Sequence, residues 1–257
     1  MISVSNLCKT FLTSEGPCKA LKDVSLEIPE GCCTVIGGEN GSGKSVLMSI
    51  LAGLEEADSG NVELAGGARG TVLMDSVGAR GTVLMDSVGL VFQEAETQIL
   101  GETPREDIAF GPKNLGWKKD QIELAVNMAL EKTGLTAKAD FPARFLSGGE
   151  KRRLAVACMI SMNLPVIILD EPYANLDFGG VKQVNALISQ LKEEGKTVII
   201  LTHEIEKCLG LAQKFIVLFR GQKVFEGTPE EGLQQNLEQW NIRNPLVSYK
   251  NVGDLIW

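Results

Sequence analysis

Gly37-Gly38-Glu39-Asn40-Gly41-Ser42-Gly43-Lys44-Ser45 is the stretch whose reading decides the fold. Glycines at 38 and 43, followed by Lys44 and Ser45, complete the G-x-x-x-x-G-K-[ST] pattern, which carries meaning only between a strand and a helix. Both flanks fit. Cys32 to Ile36 upstream reads as a strand, and SVLMSILAG from Ser45 to Gly53 is an apolar run closed by glycine, as in a helix buried on a sheet. Such a turn offers the backbone of Gly38, Asn40, Gly41, Ser42 and Gly43, backed by the positive end of a helix, to a phosphate. Lys44 supplies a charge for the β and γ oxygens of a nucleoside triphosphate, and the Ser45 hydroxyl a ligand for Mg²⁺. The alternative, a glycine-rich turn with an incidental lysine, leaves both flanking elements unexplained.

Outward from this loop the pattern is α/β. Upstream, Ser3 to Phe11 and Ala20 to Ile28 are β-rich stretches punctuated by Gly16-Pro17 and Pro29-Glu30-Gly31, which predicts an antiparallel front. Downstream, Ile122, Ala125, Ala129 and Leu130 recur at helical spacing and stop at Gly134; Val181, Val184, Leu187, Ile188 and Leu191 do so and stop at Gly195. Val166 to Leu169 and Val198 to Leu201 are continuous apolar runs, as in parallel strands covered on both faces. Phe215 to Phe219, Arg220-Gly221-Gln222 and Lys223 to Glu226 read as a closing hairpin.

Composition excludes several function classes. The 257 residues, 44% of them hydrophobic, suffice for one large domain or two lobes. No apolar run approaches the roughly 20 residues of a membrane-spanning helix. The start MISVSNLCKT lacks the basic end and apolar core of a signal peptide, so a cytoplasmic location is expected. Six cysteines form no CxxC pair and several sit in apolar patterns, which argues against metal or disulfide roles. A net charge of −8 gives no footprint for a nucleic-acid backbone, so none is expected as partner.

Two further motifs carry chemistry. Val166-Ile167-Ile168-Leu169-Asp170-Glu171-Pro172 ends a buried strand on adjacent carboxylates: Asp170 suits an Mg²⁺ shell, and Glu171 can act as general base toward a water attacking the γ-phosphate. Leu146-Ser147-Gly148-Gly149-Glu150 opens a helix with capping-box spacing between Ser147 and Glu150. Capping does not ask for Gly148 and Gly149; their lack of side chains leaves bare N–H groups at a helix N-terminus, a second anion site. Two anion sites suggest one nucleotide held by both, across two chains.

The ordered set of phosphate loop, Gln93 after Val91-Phe92, Leu146 to Glu150, Ile168 to Pro172, Ala174-Asn175-Leu176-Asp177 and Thr202-His203 resembles the ABC ATPases over almost the whole chain. The resemblance implies a P-loop NTPase fold with an antiparallel β-subdomain, a RecA-like mixed sheet and a helical subdomain at about 94–163, all within 1–240, followed by a short extension at 241–257. It implies ATP and Mg²⁺ as ligands, Gln93 touching the metal and the attacking water, and His203 contacting the γ-phosphate. It also places Asp177 at a subunit interface, Phe11 on the adenine, and Ser147, Gly148, Gly149 and Glu150 against the partner's nucleotide. Phe11 also suits a core position. Glu96-Thr97-Gln98 and Pro104 to Gly116 (PREDIAFGPKNLG) resemble, more narrowly, the ATPases of energy-coupling factor importers of vitamins or transition-metal ions. There a second ATPase, a transmembrane coupling protein and a membrane substrate-binding component are the partners, and the ATPase is peripheral on the inner face of the membrane. The alternatives are another ABC transporter class, a soluble ABC ATPase and a non-catalytic nucleotide sensor.

Three departures stand out. Val46 replaces the family's usual threonine, with the Ser45 hydroxyl retained. Glu150 replaces the commoner glutamine and puts negative charge near the partner's phosphate, which is expected to weaken ATP binding modestly. Ala68 to Gly78 (ARGTVLMDSVG) recurs identically at Ala79 to Gly89. This reads as a duplication in a surface hairpin, where added length costs little, or as an added hairpin. Because only the second copy runs on into Leu90-Val91-Phe92, that copy is expected to hold the structural position.

Overall fold

The computed structural model describes residues 1–14, 16–64, 72–73 and 87–246. Strands β1 (Ile2–Thr13) and β2 (Gly16–Ile28) form a long antiparallel hairpin. β3 (Cys33–Gly37) runs into the phosphate loop and α1 (Lys44–Leu51) leaves it. β4 (Ser59–Leu64) returns to pair with β1, and β5 (Val72–Leu73) pairs with β4, which gives a front sheet of order β2-β1-β4-β5.

β6 (Val88–Val91) enters the second sheet. Beyond it lie helices α2 (Pro104–Asn114), α3 (Lys119–Lys132) and α4 (Gly148–Ser161), then β7 (Val166–Asp170), α5 (Phe178–Glu193) and β8 (Thr197–Thr202). The hairpin of β9 (Lys214–Phe219) and β10 (Gln222–Gly227) and the short α6 (Pro229–Leu233) follow. The sheet order is β10-β9-β3-β8-β7-β6, parallel except for β10. β3, β7 and β8 are buried throughout, as expected of strands covered on both faces. β3, β7 and β8 all end on the same edge, and the loops there carry the motifs.

Pro104–Asn114 is a helix, N-capped by Thr103. Pro112 inside it has no N–H for the Ile108 carbonyl; the Ser161 hydroxyl of α4 donates to that oxygen instead, at 3.0 Å. A Cβ on Gly111 would lie 2.5 Å from Met162 Sδ, so glycine there lets α2 approach the end of α4. The repeat divides differently from the sequence reading. Val72 and Leu73 of the first copy form β5, while Val88 and Gly89 of the second open β6. Each copy therefore holds a position, in different sheets. Apart from Ser87, the rest of the repeat, like the extension beyond residue 246, falls outside the described residues.

Candidate functional site

The phosphate loop is braced from inside the chain. Gly43 has φ +102°, and a Cβ there would sit 2.6 Å from the Ala20 carbonyl oxygen of β2. Gly221 N donates to Ser42 O at 3.0 Å, tying the β9–β10 turn to the same loop. Lys44 is buried and folds back on the loop, its Nζ donating to Gly38 O (2.6 Å) and Glu39 O (3.0 Å) and lying 3.9 Å from Glu171 Oε1. Burial pulls its pKa below the ordinary lysine value, against the attraction of Glu171, Asp170 and Glu39. Asn40, Gly41 and Ser45 lie at the surface, while Ser42 is buried.

At the end of β7 the two carboxylates divide. Asp170 Oδ2 accepts from Ser45 Oγ at 3.3 Å, and its buried Oδ1 has no hydrogen-bond partner within the chain. Burial, then the neighbouring Glu171, raises the Asp170 carboxyl above its ordinary range, which a bound cation would reverse. Glu171 has φ +44°, a left-handed backbone uncommon outside glycine. Its buried carboxylate accepts from Thr202 Oγ1 (2.9 Å) and His203 N (3.2 Å) and pairs with His203 Nδ1 at 2.9 Å. The sequence offered Glu171 and His203 as separate candidates; folding pairs them, with β8 supplying the backbone that sets the distance.

The Leu146 to Glu150 motif is built differently. The capping box forms, with Glu150 N donating to Ser147 Oγ and Ser147 N to Glu150 Oε2. A Cβ on Gly148 would meet nothing within 4 Å, and one on Gly149 only Leu176 Cδ2 at 3.7 Å, so the chain's own packing does not require glycine at either position. These residues line an open concavity of about 530 Å³ together with Arg153, Asn175, Leu176 and Asp177. No residue of the 38–45 loop contributes to it. Asp177 caps α5 by accepting from Gly180 N at 2.7 Å.

Gln93 is exposed just after β6, and the segment beyond it is stitched back by Gln98, which accepts from Phe92 N (2.8 Å) and donates to Leu90 O (2.9 Å). Phe11 is half-buried on β1 opposite Cys18, under the Lys9 ammonium at 5.1 Å, on the hairpin that abuts Gly43. Sequence reading missed Arg152. It is buried, and its guanidinium donates to the carbonyls of Glu171 (3.0 Å), Ala174 (3.3 Å) and Gln93 (2.7 Å), which joins α4 to the segments after β6 and β7. In sequence it is one of three consecutive basic residues, Lys151 to Arg153, with nothing to mark it as the buried one.

A parallel sheet with a phosphate loop at its carboxyl edge, an Asp-Glu strand end and a separate glycine-rich helix start defines an ATP-binding cassette. The family model described as ABC transporter matches residues 21–174, and the chain belongs to that family. It is 38% identical to the cobalt import ATP-binding protein CbiO of Rhodobacter capsulatus, over 90% of this chain and 82% of that protein. It is 40% identical to the energy-coupling factor transporter ATP-binding protein EcfA1 of Caldanaerobacter subterraneus subsp. tengcongensis, over 86% of this chain and 79% of that one. Among solved structures it is similar to cbiO1 of Clostridium perfringens, part of the ABC transporter complex cbiONQ, with TM-score 0.79, 32% identity and 95% of each chain covered. It is also similar to the dimeric ATP-binding cassette MJ0796 bound to ADP and Pi, with TM-score 0.78, 27% identity, and 89% of this chain and 99% of that one covered.

Proposed function

We propose that this chain is the ATP-hydrolysing motor of an energy-coupling factor importer, driving uptake of a vitamin or transition-metal ion. It works as a head-to-tail pair of ATPase subunits in which each nucleotide lies between one subunit's phosphate loop and the other's Ser147-Gly148-Gly149. The carrying observation is the outward-facing signature, whose glycines the packing of their own chain does not require. Both halves of a site are present in one sequence, so a second copy suffices, and a closed two-fold arrangement follows. The pairing makes two composite sites, and the dimeric MJ0796 structure with ADP and Pi supports it.

Lys44 takes the β and γ oxygens, giving up the carbonyls of Gly38 and Glu39. Glu171 accepts the proton of the attacking water, and His203 at 2.9 Å holds that carboxylate in place and faces the γ-phosphate. The donor set fits Mg²⁺: Asp170 Oδ1 is buried and unpartnered, Ser45 Oγ is adjacent, and Gln93 is exposed nearby in sequence to the edge. When bound, the ion neutralises charge on the phosphates.

ATP closes the pair and hydrolysis reopens it, and the force passes to a transmembrane coupling protein through Gln93 to Gly116. An apolar groove of about 300 Å³ supports that route; Leu100, Phe110 and Leu115 stand exposed along it, with Met159 and Met162 beneath. Attachment in this reading is peripheral, on the inner face and through the membrane partners; among the described residues no helix is long and apolar enough to cross a membrane. Purified chain should release phosphate from Mg-ATP and should co-purify with a small membrane coupling protein. Absence of phosphate release, or purification with a conventional permease pair instead, would overturn the respective half of the reading.

A further inference from the structure

A carboxylate beside an anion site repels the anion it should receive, at a strength set by distance and local dielectric. Glu150 lies on the first turn of α4, next to the free N–H groups of Gly148 and Gly149. Both its oxygens are occupied. Oε1 accepts from Lys138 Nζ at 2.6 Å, and Oε2 from Ser147 N at 2.9 Å. The Glu150 side chain is 17% exposed and that of Lys138 41%, so the pair sits half-sheltered at the rim of the concavity. Other charges facing this concavity are committed elsewhere. Arg153 donates to Thr133 O and to Gln183 Oε1, and Asp177 caps α5. Lys138 ends a short turn, Thr136–Lys138, and its ammonium also lies 5.4 Å from the centre of the Phe141 ring, which fixes its direction.

We propose that Lys138 is a positioning residue for the signature: it neutralises the Glu150 carboxylate, which the Ser147 amide holds folded back at the helix N-terminus, so that the partner's nucleotide phosphate can dock beside it. The proposal rests on the two-chain site described above. The charge that Glu150 brings to the motif is thereby offset by a lysine supplied from another segment. The Lys138 hydrogen bond, followed by that of the Ser147 amide, also holds the Glu150 carboxyl below its ordinary range, so it stays ionised and paired rather than protonated.

The test is a steady-state ATPase titration on the full chain carrying Lys138→Met, Glu150→Gln or both, with Lys138→Arg as the conservative control. Lys138→Met should raise the KM for ATP by about three- to ten-fold with kcat within about two-fold, the size of one unscreened like charge at the site. Glu150→Gln in the same chain should restore the wild-type KM, and Lys138→Arg should keep it. The Lys138→Met defect should shrink as ionic strength rises, because repulsion across solvent is screened. The proposal is overturned if Lys138→Met leaves KM unchanged, or if it raises KM equally with Glu150→Gln present. Loss of kcat with KM intact, or a defect indifferent to salt, would mark Lys138 as structural and equally overturn it. Lys44→Ala separates the two levels: if the wild type hydrolyses ATP no faster than Lys44→Ala, the motor reading fails rather than this one.

Discussion

The two halves of the nucleotide site are built on opposite plans. Around Lys44 the bracing groups answer to the same chain: Gly43 to the Ala20 carbonyl, Lys44 to Gly38 and Glu39, Glu171 to Thr202 and His203. Around Ser147 the helix is capped, but Gly148 faces open space and a Cβ on Gly149 would meet only Leu176, at an ordinary 3.7 Å. A position shaped by internal packing shows its reason in the monomer. A position shaped by an absent partner shows only a residue type that nothing nearby demands.

The largest effect should come from the closed half. Glu171→Gln should lower phosphate release by about 100-fold or more while ATP binding and ATP-dependent dimerisation persist; near-normal turnover would remove Glu171 as the base. Gly43→Ala should then strike the fold itself, because φ +102° and a 2.6 Å contact with backbone leave no room. A loss of about 2–4 kcal/mol in denaturant unfolding is expected, and an unchanged midpoint would show the loop to be looser than described. Ser161→Ala, outside both halves, should cost about 1–2 kcal/mol by leaving Ile108 O unpaired, read by the same unfolding curve. Smallest on stability is Gly148→Ala, within about 0.5 kcal/mol, since its Cβ meets nothing. That same variant should nonetheless lose ATPase activity, and retention of full activity would break the comparison.

Much of the site was legible in the sequence because its chemistry is contiguous. Gly38 to Ser45 and Asp170-Glu171 each compress a turn and its ligands into a few residues, and the Ser147–Glu150 cap has a fixed spacing. What escaped notice depends on folding. Glu171 and His203 pair only because β7 and β8 are neighbours in register. Arg152 reads as one more basic residue on a helix, and Lys138 gains its partner through the bend of the 139–147 segment. Gly111 and Pro112 of α2 are explained only by contacts to Met162 and Ser161 on a distant stretch of chain. The repeat misled because its second copy runs on into β6, whereas the front sheet draws β5 from the first.

The central claim, that one chain cannot complete a site, is tested most directly by mixing two inactive variants. Lys44→Ala disables the phosphate loop and Gly148→Asp the signature, so each alone should be silent. Mixed in equal amounts, they form hetero-pairs that hold one intact composite site, and about a quarter of wild-type hydrolysis should return. No recovery above the two variants measured separately would contradict the account.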